Sequence, residues 1–108
     1  MDSIVNNFSE KIEYLKSKTE FSFNDLVDIM AILRSENGCP WDKVQTHETI
    51  RNNFIEEVYE VCDAIDKKDN AALLEELGDV LLQVVFHAQM ETEKSNFTFD
   101  DIADGICK

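Results

Sequence analysis

Apolar positions recur at steps of three and four along most of the chain, and strand-like alternation is nowhere sustained. Ile4, Phe8, Ile12 and Leu15 space a first helix over about Ser3 to Ser17, and the polar stretch KSKTE breaks it. Leu26, Ile29, Met30 and Leu33 predict a second helix from about Asn24 to Glu36, with Ser22 or Asn24 as its N-cap. ENGCPWDKVQ, Glu36 to Gln45, reads as a loop on the strength of Gly38, Pro40 and Asp42. A third helix starts after Thr46 and runs to about Lys67, with the stripe Ile50, Phe54, Val58, Val61 and Ile65. KKDN, Lys67 to Asn70, is a tight turn with Asn70 as the next N-cap. The fourth helix, about Ala71 to Glu93, carries Leu73, Leu77, Val80 and Val84. Thr98 with Asp101 forms a capping box for a last helix, in which the chain stops as a piece of a longer protein would. The fold class is therefore all-α, with an antiparallel helical hairpin at its centre.

The polar positions of that hairpin are its most informative feature. Glu57 and Glu60 are three apart on the third helix, and Glu76 and Asp79 are three apart on the fourth, so each pair shares a helix face. Each pair also sits on the same shoulder of its own apolar stripe. In an antiparallel hairpin, residues equidistant from the turn lie level. Glu57 and Asp79 are equidistant from Lys68, and so are Glu60 and Glu76. The four carboxylates are thus expected at one height, roughly 12 Å from the turn. Like charges gathered at short range cost kilocalories unless some are protonated or a cation joins them. An all-oxygen donor set suits Mg²⁺, Mn²⁺ or Ca²⁺, and the absence of His and Cys from the four disfavours zinc.

Composition narrows the classes. The 108 residues amount to one domain, 44% apolar and with only three Gly and one Pro, which favours long helices. A helical unit this small often buries a face against a second copy, so a dimer is expected. Acidic residues outnumber basic ones by 23 to 10, a net charge of −13, and such a surface repels nucleic acid and anionic lipid. Neither a nucleic acid nor a membrane is expected as a partner. Cys39, Cys62 and Cys107 are odd in number and lack CxxC spacing, which predicts free thiols and a cytoplasmic, reducing setting. Cys62 reads as a small buried apolar residue. The N-terminus has no signal-peptide pattern, and the longest apolar stretch, Val80 to Met90, is too short to span a bilayer. No glycine-rich phosphate loop is present, which excludes a P-loop NTPase. No ExxH motif is present, which argues against a carboxylate-bridged di-iron bundle.

The motifs EEVYE at Glu56–Glu60 and ELGD at Glu76–Asp79 resemble the EExxE and ExxD signature of the MazG family of nucleoside triphosphate pyrophosphohydrolases. LRSENGCPWDKVQTHETIR, EVCDAIDKKDN and EELGDVLLQVVFHAQM extend the resemblance over roughly Phe23 to Lys108. It divides the chain into a lead-in helix over residues 1–20 and a pyrophosphohydrolase domain over 21–108. It implies a four-helix-bundle-like fold, usually dimeric, and hydrolysis of an NTP or dNTP to the monophosphate and pyrophosphate. It implies that Glu57, Glu60, Glu76 and Asp79 ligate Mg²⁺, with Glu56 beside them. Two departures stand out. Asn52-Asn53 replaces the Pro-Tyr of many members, and the chain ends at Lys108, before the family's basic segment.

For the reaction, Glu56 or Glu57 is the candidate to orient or deprotonate the attacking water. Lys43 and Arg51 are candidates to meet phosphates, or else are surface and helix-end cations. Trp41 either stacks on a base or plugs the loop against the core. His87 lies three turns past Glu76 on nearly the same face and reads as a hydrogen-bonded core group. A non-catalytic nucleotide-binding or assembly module that retains the fold is the alternative function.

Overall fold

The computed structural model describes the backbone of residues 2–108 and the side chains from Phe8 onward. The packing expected of Ile4 lies outside the described side chains. Among the described residues there are six helices and no strand: α1 Asp2–Lys16, α2 Phe23–Leu33, α3 Pro40–Val44, α4 His47–Asp66, α5 Asn70–Glu93 and α6 Phe99–Cys107. They form two compact units, Met1–Lys43 and Val44–Lys108.

In the first unit α1 packs on α2. Ser22 caps α2: its Oγ accepts from the Asp25 N–H at 3.3 Å, and Asp25 Oδ2 accepts from the Ser22 N–H at 2.8 Å. Lys18 Nζ donates to the same carboxylate oxygen at 2.5 Å. Asp25 is buried, and the lysine and the cap together supply the partners its charge needs. The Lys18 ammonium is the main reason the Asp25 carboxyl titrates below its ordinary range.

Helix α2 stops at Leu33, short of the expected Glu36, because the chain folds back on it. The Cys39 N–H donates to Leu33 O at 2.8 Å. A Cβ on Gly38 would lie 2.3 Å from that same carbonyl oxygen, so only glycine fits there. The segment read as a loop contains α3. Proline at a first helical position loses no hydrogen bond and has its φ preset, so Pro40 starts a helix here rather than marking irregular chain. Arg34 Nη1 donates to Asp42 O at 2.7 Å, and Lys43 Nζ donates to Glu36 O at 2.9 Å, which pins the short helix.

The second unit is built on the α4–α5 hairpin. Thr46 caps α4 reciprocally with Thr49. After Asp66 the chain reverses through Lys68, whose φ is 54°. The Asp69 N–H donates to Ala64 O and the Lys68 N–H to Ile65 O, the paired bonds of a Schellman motif. Asp69, not Asn70, caps α5: its carboxylate reaches the Ala72 N–H at 3.1 Å, and Asn70 becomes the first helical residue. Ser95, with φ 60°, ends α5 through the same pair of bonds, to Glu91 O and Thr92 O.

Ile50, Ala64, Val85, Phe86, Ala88 and Met90 are the buried apolar residues of this unit. The expected stripes are only partly covered. Val58 is 44% exposed, Ile65 56% and Leu77 50%, so two of the five stripe residues on α4 and one of the four on α5 remain open. The reason is geometric. Helix α4 meets α5 along a narrower arc, which Ala64 joins and Val58 leaves. The buried residues of α5 all lie in its C-terminal half, and α6 packs on α5 as well. Among the described residues, no helix is long and apolar enough to cross a membrane.

Two substitutions test these backbone assignments by thermal denaturation. Lys68→Gly is expected to stabilise by about 0.5–1 kcal/mol, because the left-handed conformation costs an L-residue more than glycine's extra unfolded-state entropy costs. Gly38→Ala is expected to destabilise by about 1–3 kcal/mol, because the obstructing atoms are backbone carbonyls.

Candidate metal centre

The turn at Lys68 sets the register of the hairpin, and the register sets the site. One carboxylate oxygen from each of Glu57, Glu76 and Asp79 can be chosen so that all three lie within 4.8 Å of one another. All three side chains are half-buried. Glu60 is exposed and stands outside that tight group, although its charge acts on both Glu57 and Glu76. Glu56 is also exposed, on the outer side of α4. Among the described residues, no other group of three His, Cys, Asp or Glu side chains converges in this way.

The electrostatics follow from the crowding. Partial burial pushes the Glu57 carboxyl above its ordinary value, and the neighbouring Asp79 and Glu60 charges push it further. A hydrogen bond to Asp79 also favours the protonated form of Glu57. Glu76 is raised for the same reasons, burial first and then Asp79 and Glu60. Two routes relieve such a site: a proton shared between carboxylates, or a cation among them. The donor set is entirely hard oxygen, and no lysine or arginine makes an ion pair with Glu57, Glu76 or Asp79 among the bridges found. Those oxygens fit a hard divalent cation of the Mg²⁺ or Mn²⁺ kind.

The other sequence candidates are placed differently. Trp41 is 55% exposed on α3, which rules out a buried plug. Lys43 also lies on α3, in the first unit, and bonds Glu36 O. Arg51 lies on α4, one turn from its start, and Nη1 donates to Asn52 Oδ1 at 3.3 Å. It lines a groove of about 690 Å³ with Phe54, Ile55, Val58 and Tyr59. Cys62 lines the same groove and is exposed rather than buried, because it sits on the uncovered arc of α4. His87 is hydrogen-bonded and packs against Phe54.

Comparison with known proteins places the arrangement in context. Residues 45–108 match the MazG nucleotide pyrophosphohydrolase domain. The chain is 55% identical over 80 residues to the nucleoside triphosphate pyrophosphohydrolase/pyrophosphatase MazG of Thermotoga maritima, covering 74% of this chain and 31% of that protein. It is 55% identical over 82 residues to the nucleoside triphosphate pyrophosphohydrolase of Escherichia coli K12, covering 75% and 31%. It is 50% identical over 84 residues to the uncharacterized protein YabN of Bacillus subtilis, covering 78% and 17%. The chain thus spans about a third or less of the length of these relatives.

The crowding of Glu57 has a measurable sign. A carboxyl raised by folding favours the folded state below its ordinary value of 4.5, and that contribution is lost as pH rises through the raised value. Without divalent cations, Glu57→Gln is therefore expected to be more stable than the parent at pH 7, with the difference vanishing toward pH 4.5. Millimolar Mg²⁺ should reverse the order at pH 7. Thermal melts with chelator and with Mg²⁺ check both signs.

Proposed function

Because the chain belongs to the MazG nucleotide pyrophosphohydrolase family, we propose that it hydrolyses nucleoside triphosphates, NTP or dNTP, to the monophosphate and pyrophosphate in a Mg²⁺-dependent reaction. The observation that carries the reading is the convergence of Glu57, Glu76 and Asp79 at one level of the hairpin. The domain taken to do this is residues 21–108, in the cytoplasm.

Glu57, Glu60, Glu76 and Asp79 would hold the metal, with Glu60 turning in from its exposed position. Bound there, Mg²⁺ would supply charge neutralisation for a polyphosphate and a more acidic water. Everything else falls to the chain's own side chains. An acidic cluster cannot attract a polyanion by itself, so cationic side chains are needed nearby. Arg51 and Lys43 are the candidates to meet phosphates, and Trp41 to stack on the base. Glu57 lies among these carboxylates and is one of the two groups proposed to orient the water and take its proton. Glu56, one position earlier, is the other group proposed for that task.

A homodimer is also proposed. Counting 100° per residue, Ile55, Val58 and Cys62 lie on the shoulder of α4 away from Glu57 and Glu60. Leu74 and Leu77 continue that shoulder on α5 and are 78% and 50% exposed. An apolar strip of this kind on a chain of net charge −13 suits burial against a second copy.

The activity is tested by incubating the protein with a panel of NTPs and dNTPs and Mg²⁺, then separating the products. Release of pyrophosphate and monophosphate is expected, whereas diphosphate and orthophosphate, or binding without turnover, would refute it. Glu57→Ala should lower kcat by about 10²–10⁴-fold with the helical circular dichroism unchanged. Association is tested separately: Val58→Asp should shift the sedimentation coefficient from dimer to monomer.

A further inference from the structure

The two histidines of the chain meet across the open end of the hairpin. His47 is the first residue of α4, and His87 lies in the last third of α5. Their Nδ1 atoms are 2.6 Å apart. Their ring centroids are 4.9 Å apart, with planes only 6° from parallel. The difference between those two distances is the radius of two imidazole rings. Both Nδ1 atoms therefore lie on the line joining the centroids. The rings are coplanar and end to end, an in-plane N–H···N bond, not a face-to-face stack.

The proton positions follow from the far ends. His47 Nε2 lies 3.1 Å from Glu91 Oε1. The other oxygen of Glu91 accepts from Asn96 Nδ2 at 3.0 Å. Asn96 first, and His47 second, hold the Glu91 carboxyl below its usual range, so it is an acceptor at neutral pH. His47 must then carry hydrogen on Nε2. As a neutral ring it presents a bare Nδ1, and His87 supplies the bridging hydrogen from its own Nδ1. That leaves His87 Nε2 as a lone pair, and this atom is buried with no hydrogen-bond partner. Nε2 has no partner in either form, so the Nδ1 side sets the tautomer.

We propose that His47 and His87 form a one-proton latch: a single hydrogen on the Nδ1–Nδ1 line ties the first turn of α4 to α5, and the latch opens when both rings carry hydrogen at Nδ1. Two N–H groups cannot face each other at 2.6 Å, so full protonation separates the rings. The surroundings agree with a closed neutral state. Burial, and then the His47 charge, push His87 below the ordinary 6.5. The charged groups around the pair are Glu48 and Arg51 on α4, Glu91 on α5 and Lys94 at the end of α5. Phe54 packs against the His87 ring, with centroids 5.5 Å apart. The latch thus holds the end of the hairpin opposite the Lys68 turn, and it stands whether or not the chain turns over nucleotides.

The linkage has a definite sign. A histidine held neutral stabilises the fold above 6.5, and that contribution is lost as pH falls. Placing hydrogen on His47 Nδ1 as well takes up one proton, so the open fraction grows about tenfold per pH unit below the step. The experiment is ¹⁵N NMR of the whole chain with labelled histidine, titrated from pH 8 to 5. At pH 7.5 the expected tautomers are Nε2–H for His47 and Nδ1–H for His87. On acidification the His87 signal should change below 6.5, together with loss of the Nδ1–Nδ1 bond. A His87→Phe variant, which keeps an aromatic ring against Phe54, should lose the matching fall in melting temperature. Nε2–H on His87 at neutral pH, or a His87 ring that titrates at 6.5 or above, would overturn the latch. The parent titration decides this even if the variant does not fold.

Discussion

Repulsion among Glu57, Glu76 and Asp79 is the constraint around which the second unit is arranged. Three carboxylate oxygens within 4.8 Å of one another tend to push α4 and α5 apart. The hairpin resists at both ends. At one end the chain reverses through a residue held at positive φ, with both orphan carbonyls of the Schellman motif satisfied. At the other, His47 reaches His87 and Glu91. Between them Ile50, only 1% exposed, and Ala64 pack on α5. The acidic level lies between two clamps, and burial first, then the neighbouring charges, raise Glu57 and Glu76 there.

That repulsion also shows which way the site leans chemically. A fold that wanted only stability would place an arginine among these oxygens. Among the described residues the lysine–carboxylate pairs form elsewhere, as with Lys67 on Asp63, Lys18 on Asp25 and Lys108 on Asp104. Among the described residues no lysine or arginine pairs with these three carboxylates, which leaves their charge for a cation from outside to meet.

Much of the hairpin was legible in the sequence because antiparallel register follows from simple counting. Glu57 faces Asp79 because the turn centres on Lys68, and no tertiary knowledge is needed for that. The capping box at Thr98, and Ser22 as one of two candidate caps, were readable for the same reason: they are local. What failed was whatever depends on which arc of a helix meets a neighbour. Val58, Ile65 and Leu77 fit an apolar spacing yet stay open, since spacing reports a face and not its cover. Pro40 misled because the same residue breaks a helix in its middle and begins one at its edge. Asp69 and Asn70 are both good caps, and only the bond to the Ala72 N–H separates them. His47 and His87 are 40 positions apart, and no local pattern foretells that they share a hydrogen.

The exposed apolar shoulder and the acidic shoulder belong to the same two rods. Helices are stiff about their own axes, so neither edge can shift alone. A side chain stands about 5–6 Å from its helix axis, and a roll of about 10° therefore displaces it by about 1 Å. Pressure on Val58 or Leu77 is thereby converted into a change of spacing among the oxygens on the far edge. Whatever settles on the greasy side therefore presses on the distances among Glu57, Glu76 and Asp79.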